Sequence, residues 1–288
     1  MVFMKQSLKQ IFAFSVTAVI AIGCAKSAVI VQVADVQMGF AAAALAGKSG
    51  EECADEMSYE LECLKAVVQT VNDICPDVVV FTGDQVNVAG DSAQWEAFAD
   101  LAGQIRPQVK QLYLPGNHDV VVGRDGEVDA SEYTRRYGAD RFCYCAAGVK
   151  LVGVNTNLIG QDEALEAEQF EWLKSVLETK CGKDDVTLVF GHHPYFLNDI
   201  EEPDSYFPIK KEKRHQYFDL FAANGVDAVY AGHRHETFDT DYAGIPMKTT
   251  TSAAFQIGKS KPSVRVIVVE KGKVRDELRV IDAEDQAR

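Results

Sequence analysis

Residues 78–84 read Val-Val-Val-Phe-Thr-Gly-Asp, five apolar or β-branched residues closed by a glycine and a carboxylate. A run of that length without polar alternation predicts a strand buried on both faces, and Gly83 with Asp84 predicts a turn at its carboxyl end. The same form recurs along the chain. Residues 28–33 lead into Asp35 and Gln37, and residues 111–114 into Gly116, Asn117, His118 and Asp119. Residues 186–190 lead into Gly191, His192, His193 and Pro194, and residues 228–230 into Gly232, His233, Arg234 and His235. A further run, 151–155, has no such cluster after it. Between the runs, residues 59–74, 92–104, 163–179 and 212–224 repeat apolar residues at spacings of three and four, the helical period. Strand and helix in alternation predict an α/β protein. Towards the carboxyl end the pattern changes to hairpins, 237–242 with 245–250 and 264–269 with 274–278, and residues 142–146 with 149–154 make another. There is no repeat, low-complexity tract or proline-rich linker, so one domain with a mixed two-sheet core is expected over 28–283.

The chain has 288 residues, 29 basic and 43 acidic, a net charge of −14 that argues against coating nucleic acid or anionic lipid. Its 47% hydrophobic content excludes a disordered or fibrous chain. Of its six histidines, five fall in the loops after the predicted strands; only His215 stands apart.

The amino terminus reads as an address. Lys5 and Lys9 precede a 12-residue apolar run, 11–22, shorter than the roughly 20 residues a membrane-spanning helix needs. Ala21, Ile22, Gly23 and Cys24 resemble the lipobox of bacterial lipoproteins, which predicts a signal peptide over 1–23, a lipid on Cys24, and a protein exported and anchored on the periplasmic or cell-surface side. The mature chain would then carry 27 basic residues against 43 acidic, a charge of −16. Export permits disulfides among Cys53, Cys63, Cys75, Cys143, Cys145 and Cys181, and buried free thiols are the other reading. Cys143 and Cys145 would share one face of a strand near the limit of disulfide reach, so they are not expected to pair with each other.

Taken singly, each strand-end loop reads as a turn or a helix cap. Together they bring Asp, Gln, Asp, Asn and His to the carboxyl ends of strands, where α/β sheets assemble ligand sites. Carboxylate, amide and imidazole without thiolate suit Mn, Fe or Zn.

In these residues the sequence resembles the calcineurin-like metallophosphoesterase superfamily, and within it the subgroup of calcineurin-like Ser/Thr phosphatases. The five blocks of that family occur in order between Asp35 and His235; four match, and the first reads Asp35, Val36, Gln37 where most members have a histidine third. The resemblance implies a four-layer α/β/β/α sandwich with two mixed sheets. It also implies two divalent metals about 3.5 to 4 Å apart. The first would be held by Asp35, Gln37, Asp84 and His235, the second by Asp84, Asn117, His192 and His233, with Asp84 shared. Water activated between the metals would attack phosphorus, and His118 would protonate the leaving oxygen. His192 rather than His193 is the expected ligand, because it directly follows glycine. Gln37 weakens the first site, since an amide oxygen binds a late transition metal less strongly than imidazole. Asn87 stands where purple acid phosphatases carry a tyrosine, which argues against a ferric purple centre.

The substrate expected on this basis is a phosphorylated small molecule or phosphoprotein, hydrolysed as a monoester. A phosphodiesterase acting on cyclic nucleotides or glycerophosphodiesters is the alternative, and a metal- or phosphate-binding lipoprotein without turnover a second. Arg124, Lys210, Lys211, Lys213 and above all Arg234 are candidates for gripping phosphate. Tyr206 and Phe207 are expected in the core, with the crevice wall as the other possibility.

Overall fold

The structure is a computed structural model that describes residues 27–46, 56–182 and 186–281. The proposed signal sequence, Cys24 and Cys53 lie outside the described residues. In chain order the elements are β1 (Ala28–Val33), α1 (Phe40–Ala46), α2 (Ser58–Ile74), β2 (Val78–Thr82), α3 (Ser92–Ala102), β3 (Lys110–Leu114), β4 (Val121–Val122), β5 (Val128–Asp129), α4 (Ser131–Tyr137), β6 (Phe142–Ala146) and β7 (Val149–Gly153). They continue with α5 (Glu163–Glu178), β8 (Val186–Phe190), α6 (Lys211–Ala223), β9 (Ala228–Ala231), β10 (Phe238–Tyr242), β11 (Ile245–Thr249), β12 (Ser263–Glu270) and β13 (Lys273–Val280). Among the described residues, no helix is long and apolar enough to cross a membrane.

Two mixed sheets run in the orders β13-β12-β1-β2-β3 and β10-β11-β9-β8-β7-β6. β1, β2 and β3 are parallel neighbours, as are β7, β8 and β9. The three predicted hairpins are the antiparallel pairs β6/β7, β10/β11 and β12/β13.

Alternation along the strands divides the core. Ile30, Val78, Val80 and Leu112 from one sheet meet Leu151, Leu188, Phe190 and Tyr230 from the other. The intervening Val31, Val33, Val79 and Phe81 face Leu64, Val67 and Val71 of α2 and Phe98 of α3. On the far side Val152, Val189 and Val229 pack on Leu173 of α5 and Tyr217, Phe218 and Phe221 of α6. The result is the expected α/β/β/α sandwich, and the central strands β1, β2, β7, β8 and β9 are buried on both faces because both are covered, while β6, β10 and β13 expose one face or more.

A buried polar link crosses between the sheets at the carboxyl ends of the strands. Gln32 donates to the Thr82 hydroxyl at 3.1 Å and to the Ala231 carbonyl at 3.0 Å, and accepts from the Thr250 hydroxyl at 2.7 Å. This fixes the carboxyl ends of β1, β2 and β9 relative to one another, and those ends carry Asp35, Asp84 and His233.

Both readings left open for the cysteines occur, and Cys143 and Cys145 do not pair with each other. Cys145 and Cys181 form a disulfide that ties β6 to the chain beyond α5, and of the free described cysteines Cys63 is buried while Cys75 and Cys143 are exposed. α1, α4 and the small β4/β5 hairpin had no sequence expectation. α1 has only seven residues, Phe-Ala-Ala-Ala-Ala-Leu-Ala, too few for a periodic pattern. Its first turn is held from elsewhere: the buried carboxylate of Glu60 in α2 accepts the Ala41 N–H at 2.6 Å. Burial raises the pKa of this carboxyl, against the backbone N–H groups of Gly39, Phe40 and Ala41 that favour its charged form.

Glu60→Ala leaves those donors buried without an acceptor, and about 1–3 kcal/mol of stability should be lost. Urea unfolding checks this; a loss below about 0.5 kcal/mol would mean that Glu60 does not hold α1.

Candidate metal centre and active site

Five of the residues expected to bind metal adopt left-handed backbone: Asp35 at φ 53°, Gln37 at 48°, Asp84 at 51°, His233 at 69° and His235 at 51°. For a residue with a Cβ this conformation costs of order 1–3 kcal/mol and persists only where the surroundings impose it. Hydrogen bonds between the loops do so. Asp35 N–H donates to the Gly83 carbonyl at 3.2 Å and Gln37 N–H to the Asp84 carbonyl at 2.7 Å, continuing the parallel pairing of β1 with β2 past both strand ends. The Asp35 carboxylate accepts the His233 N–H through both oxygens, at 3.0 and 2.9 Å.

Asp119 joins the next loop. Its carboxylate accepts three backbone N–H groups, those of Gln85 at 2.9 Å, Val86 at 3.1 Å and Gly116 at 2.7 Å. The loops then lie so close that Gly116 cannot carry a side chain: a Cβ there would stand 2.0 Å from the Asp84 carboxylate. The glycine of this block is therefore a matter of room, with Asp119 closing the contact.

Imidazole, amide and carboxylate atoms converge at the centre. His192, fully buried, has Nε2 at 3.0 Å from Asn117 Oδ1, 3.1 Å from His233 Nδ1 and 3.4 Å from Asp84 Oδ2. Beside them His235 Nε2 lies 3.6 Å from Asp35 Oδ1. The ring orientations have a physical cause. His192 Nδ1 is 3.0 Å from the Thr82 carbonyl and His235 Nδ1 is 2.6 Å from the Phe255 carbonyl, so each donates from Nδ1 and turns an Nε2 lone pair inward. Metal-capable donors fall in two groups, Asp35, Asp84 and His235, and His192, His193 and His233.

Lone pairs facing carboxylate and amide oxygen call for a cation. Gln37 adds a buried Oε1 without a hydrogen-bond partner, while its Nε2 donates weakly to Asn87 Oδ1 at 3.4 Å. The donors therefore fit divalent metals. Burial opposes charge on His192, but with no cation between them the Asp84 and Asp35 carboxylates outweigh it and raise its pKa to about 9, a demand for positive charge at Nε2 that a bound metal would meet in place of the proton. Burial raises Asp84 as well, yet His192 and His118 hold it well below the carboxylate range, so it stays ionised.

His118 sits at the edge. Its backbone N–H donates to Asp84 Oδ1 at 2.9 Å and its Nδ1 is 2.9 Å from the Asn87 carbonyl, which leaves Nε2 free of that bond.

The structure thus gathers Asp35, Gln37, Asp84, Asn117, His118, His192, His233 and His235 in one crevice. It differs from the sequence reading over the outer residues. Lys210 donates to the Gly160 carbonyl at 2.7 Å, Lys211 pairs with Glu201 at 2.9 Å and Lys213 with Glu166 at 2.9 Å, so these lysines are engaged elsewhere. Arg124 is exposed in the β4/β5 turn. Arg234 stacks on Phe207 at 4.4 Å and lies 3.4 Å from Glu236. Tyr206 is not in the core: it is 72% exposed beside His233. His193 stands closer to the centre than expected, its ring 4.4 Å from that of His233 and its Nδ1 2.9 Å from the Thr156 hydroxyl. Burial and the neighbouring His192 lower its pKa to about 3, so it is neutral. Thr156 lies in no strand-end block and the sequence carried no signal for it, while Asn87, noted in the sequence only for lacking a tyrosine, positions His118 through its carbonyl.

The calcineurin-like phosphoesterase family matches residues 28–237. The serine/threonine-protein phosphatase CPPED1 of Bos taurus is 30% identical over 257 residues, 85% of this chain and 80% of that protein. Its Danio rerio counterpart is 28% identical, covering 85% of this chain and 82% of its own length. Among solved structures, a dimetal phosphatase from Danio rerio superposes with a TM-score of 0.57 at 14% identity, covering 88% of this chain and 99% of the other, a likeness of fold. With the matching family running from β1 through the loop that carries His233 and His235, the chain belongs to the calcineurin-like phosphoesterases and is a metal-dependent phosphoric ester hydrolase that uses two divalent metals.

Proposed function

We propose that the enzyme is a phosphomonoesterase in which Asp35, Gln37, Asp84 and His235 hold one metal and Asp84, Asn117, His192 and His233 the other. The observation that carries this reading is the pair of adjoining donor groups, one of which contains Asp84, whose Oδ2 lies 3.4 Å from His192 Nε2 of the other. When bound, two divalent cations neutralise charge on the phosphoryl oxygens and acidify water enough for attack near neutral pH.

The chain supplies position and a proton. Asp84 is fixed by the Gly116 and His118 backbone and carries the negative charge that the cations require. His118 donates from Nδ1 to Asn87 and, when protonated, presents Nε2–H to the leaving oxygen. His192 and His235 are locked by the Thr82 and Phe255 carbonyls, so no ring has to turn during the reaction. No serine or cysteine nucleophile is needed. Support for the monoester comes from the relatives named serine/threonine-protein phosphatases, which match over four-fifths of their length. Manganese, iron and zinc all suit this donor set.

We also propose that residues 1–23 are a signal sequence and that Cys24 carries the lipid which anchors the mature enzyme outside the cytoplasm. Cys24→Ser should move the protein from the detergent to the aqueous phase in a detergent partition; unchanged partition would contradict the anchor.

His118→Ala should lower kcat on an aryl phosphomonoester about 10²- to 10⁴-fold, and Asp84→Asn should abolish turnover. Full activity in either variant, or faster wild-type cleavage of a bis-aryl phosphodiester than of the monoester, would overturn the reading. Gln37→His should tighten binding of one of the two metals in calorimetry and leave the other unchanged. Equal affinities in both proteins would remove Gln37 from the ligands.

A further inference from the structure

Among the described residues, Tyr206 is the one aromatic among the large apolar side chains exposed to solvent, and it stands at the mouth of the crevice. Its ring centroid is 5.4 Å from that of His233 with the planes inclined by 35°, and its hydroxyl interacts with the side chain of Asn117. Phe207 stands edge-on to it at 5.1 Å and lies 5.5 Å from the same histidine. The Arg234 guanidinium covers Phe207 at 4.4 Å.

The exposure is not that of a slack loop. Arg214, fully buried, donates to the carbonyls of Ile209 at 2.8 Å, Ile200 at 3.1 Å and Glu202 at 2.6 Å. The Glu202 carboxylate accepts the N–H groups of Leu197 and Asn198, and Asp204 accepts that of Lys211. Both ends of the segment are thus tied down, and Tyr206 is carried at its apex. An aromatic ring held in water beside a catalytic crevice keeps one π-face free for another ring.

We infer that Tyr206, backed by Phe207 and Arg234, is a specificity-determining shelf that receives a planar aromatic group on the leaving alcohol of the substrate. The inference rests on the phosphomonoesterase reading and narrows it. A substrate seated in the crevice meets Tyr206, beside Asn117 and His233, as the exposed aromatic surface at its mouth. A ring-bearing alcohol gains a stacking contact there; an aliphatic one of equal size does not.

The test uses two size-matched primary esters, benzyl phosphate and cyclohexylmethyl phosphate, together with the corresponding non-hydrolysable benzyl- and cyclohexylmethylphosphonates. The purified metal-loaded enzyme should favour the benzyl member about two- to twelve-fold, in kcat/KM for the esters and in Kd for the phosphonates. The ratio should fall to about one in Tyr206→Ala and be kept in Tyr206→Phe. Hydrolysis without preference, or a preference that survives Tyr206→Ala, would overturn the shelf and leave the phosphoesterase intact. A phosphonate preference without hydrolysis of any ester would contradict the enzyme reading and leave the shelf standing.

Discussion

The carboxylate of Asp84 leaves β2 through a left-handed turn at φ 51° and meets, within one side chain, the backbone of His118 and the imidazole of His192. The other loops are arranged around this placement. The Gly83 and Gly116 backbones leave room for it, Asp119 binds the flanking loops together, and Gln32 holds the two sheets at the spacing that lets β2 and β9 deliver to the same point. An ionised carboxylate this deeply buried needs compensation, since desolvation of an isolated charge costs several kcal/mol. Histidines supply part of it, and divalent metals supply it more completely.

The strained turns follow from the same constraint. Asp35, Gln37, His233 and His235 share the left-handed backbone of Asp84, and each is held by a hydrogen bond to the neighbouring loop or by the neighbour's own ties. Backbone strain of this kind marks where geometry has been favoured over local comfort. The stability that permits it comes from three apolar layers, none of which touches the reaction.

Much of this was legible in the sequence. Strands buried on both faces appear as unbroken apolar runs, and most of their carboxyl ends are marked by Gly followed by Asp, Asn or His, so the fold class and the convergence of the loops could be read from the residues, while the ligand set followed from the family resemblance. What could not be read depends on contacts distant in sequence. α1 is too short to show a period and is held by Glu60, 19 residues ahead. His193 could be told from His192 only by its place after the glycine, and its ring is set by Thr156, 37 residues away. Lys210, Lys211 and Lys213 are basic residues near a phosphate-handling motif, yet each finds a carbonyl or carboxylate of its own. Tyr206 reads as an apolar residue destined for the core, and only the bracing by Arg214 explains why it stands in water.

Catalysis in this crevice depends on where the cations sit relative to Asp84. Anomalous diffraction from manganese-loaded crystals measures this directly. Two peaks should appear about 3.5 to 4 Å apart, one beside Asp35, Gln37 and His235, the other beside Asn117, His192 and His233, with the Asp84 carboxylate between them. A single peak, or a second peak bound through His193 with Asp84 contacting only one metal, would contradict this arrangement.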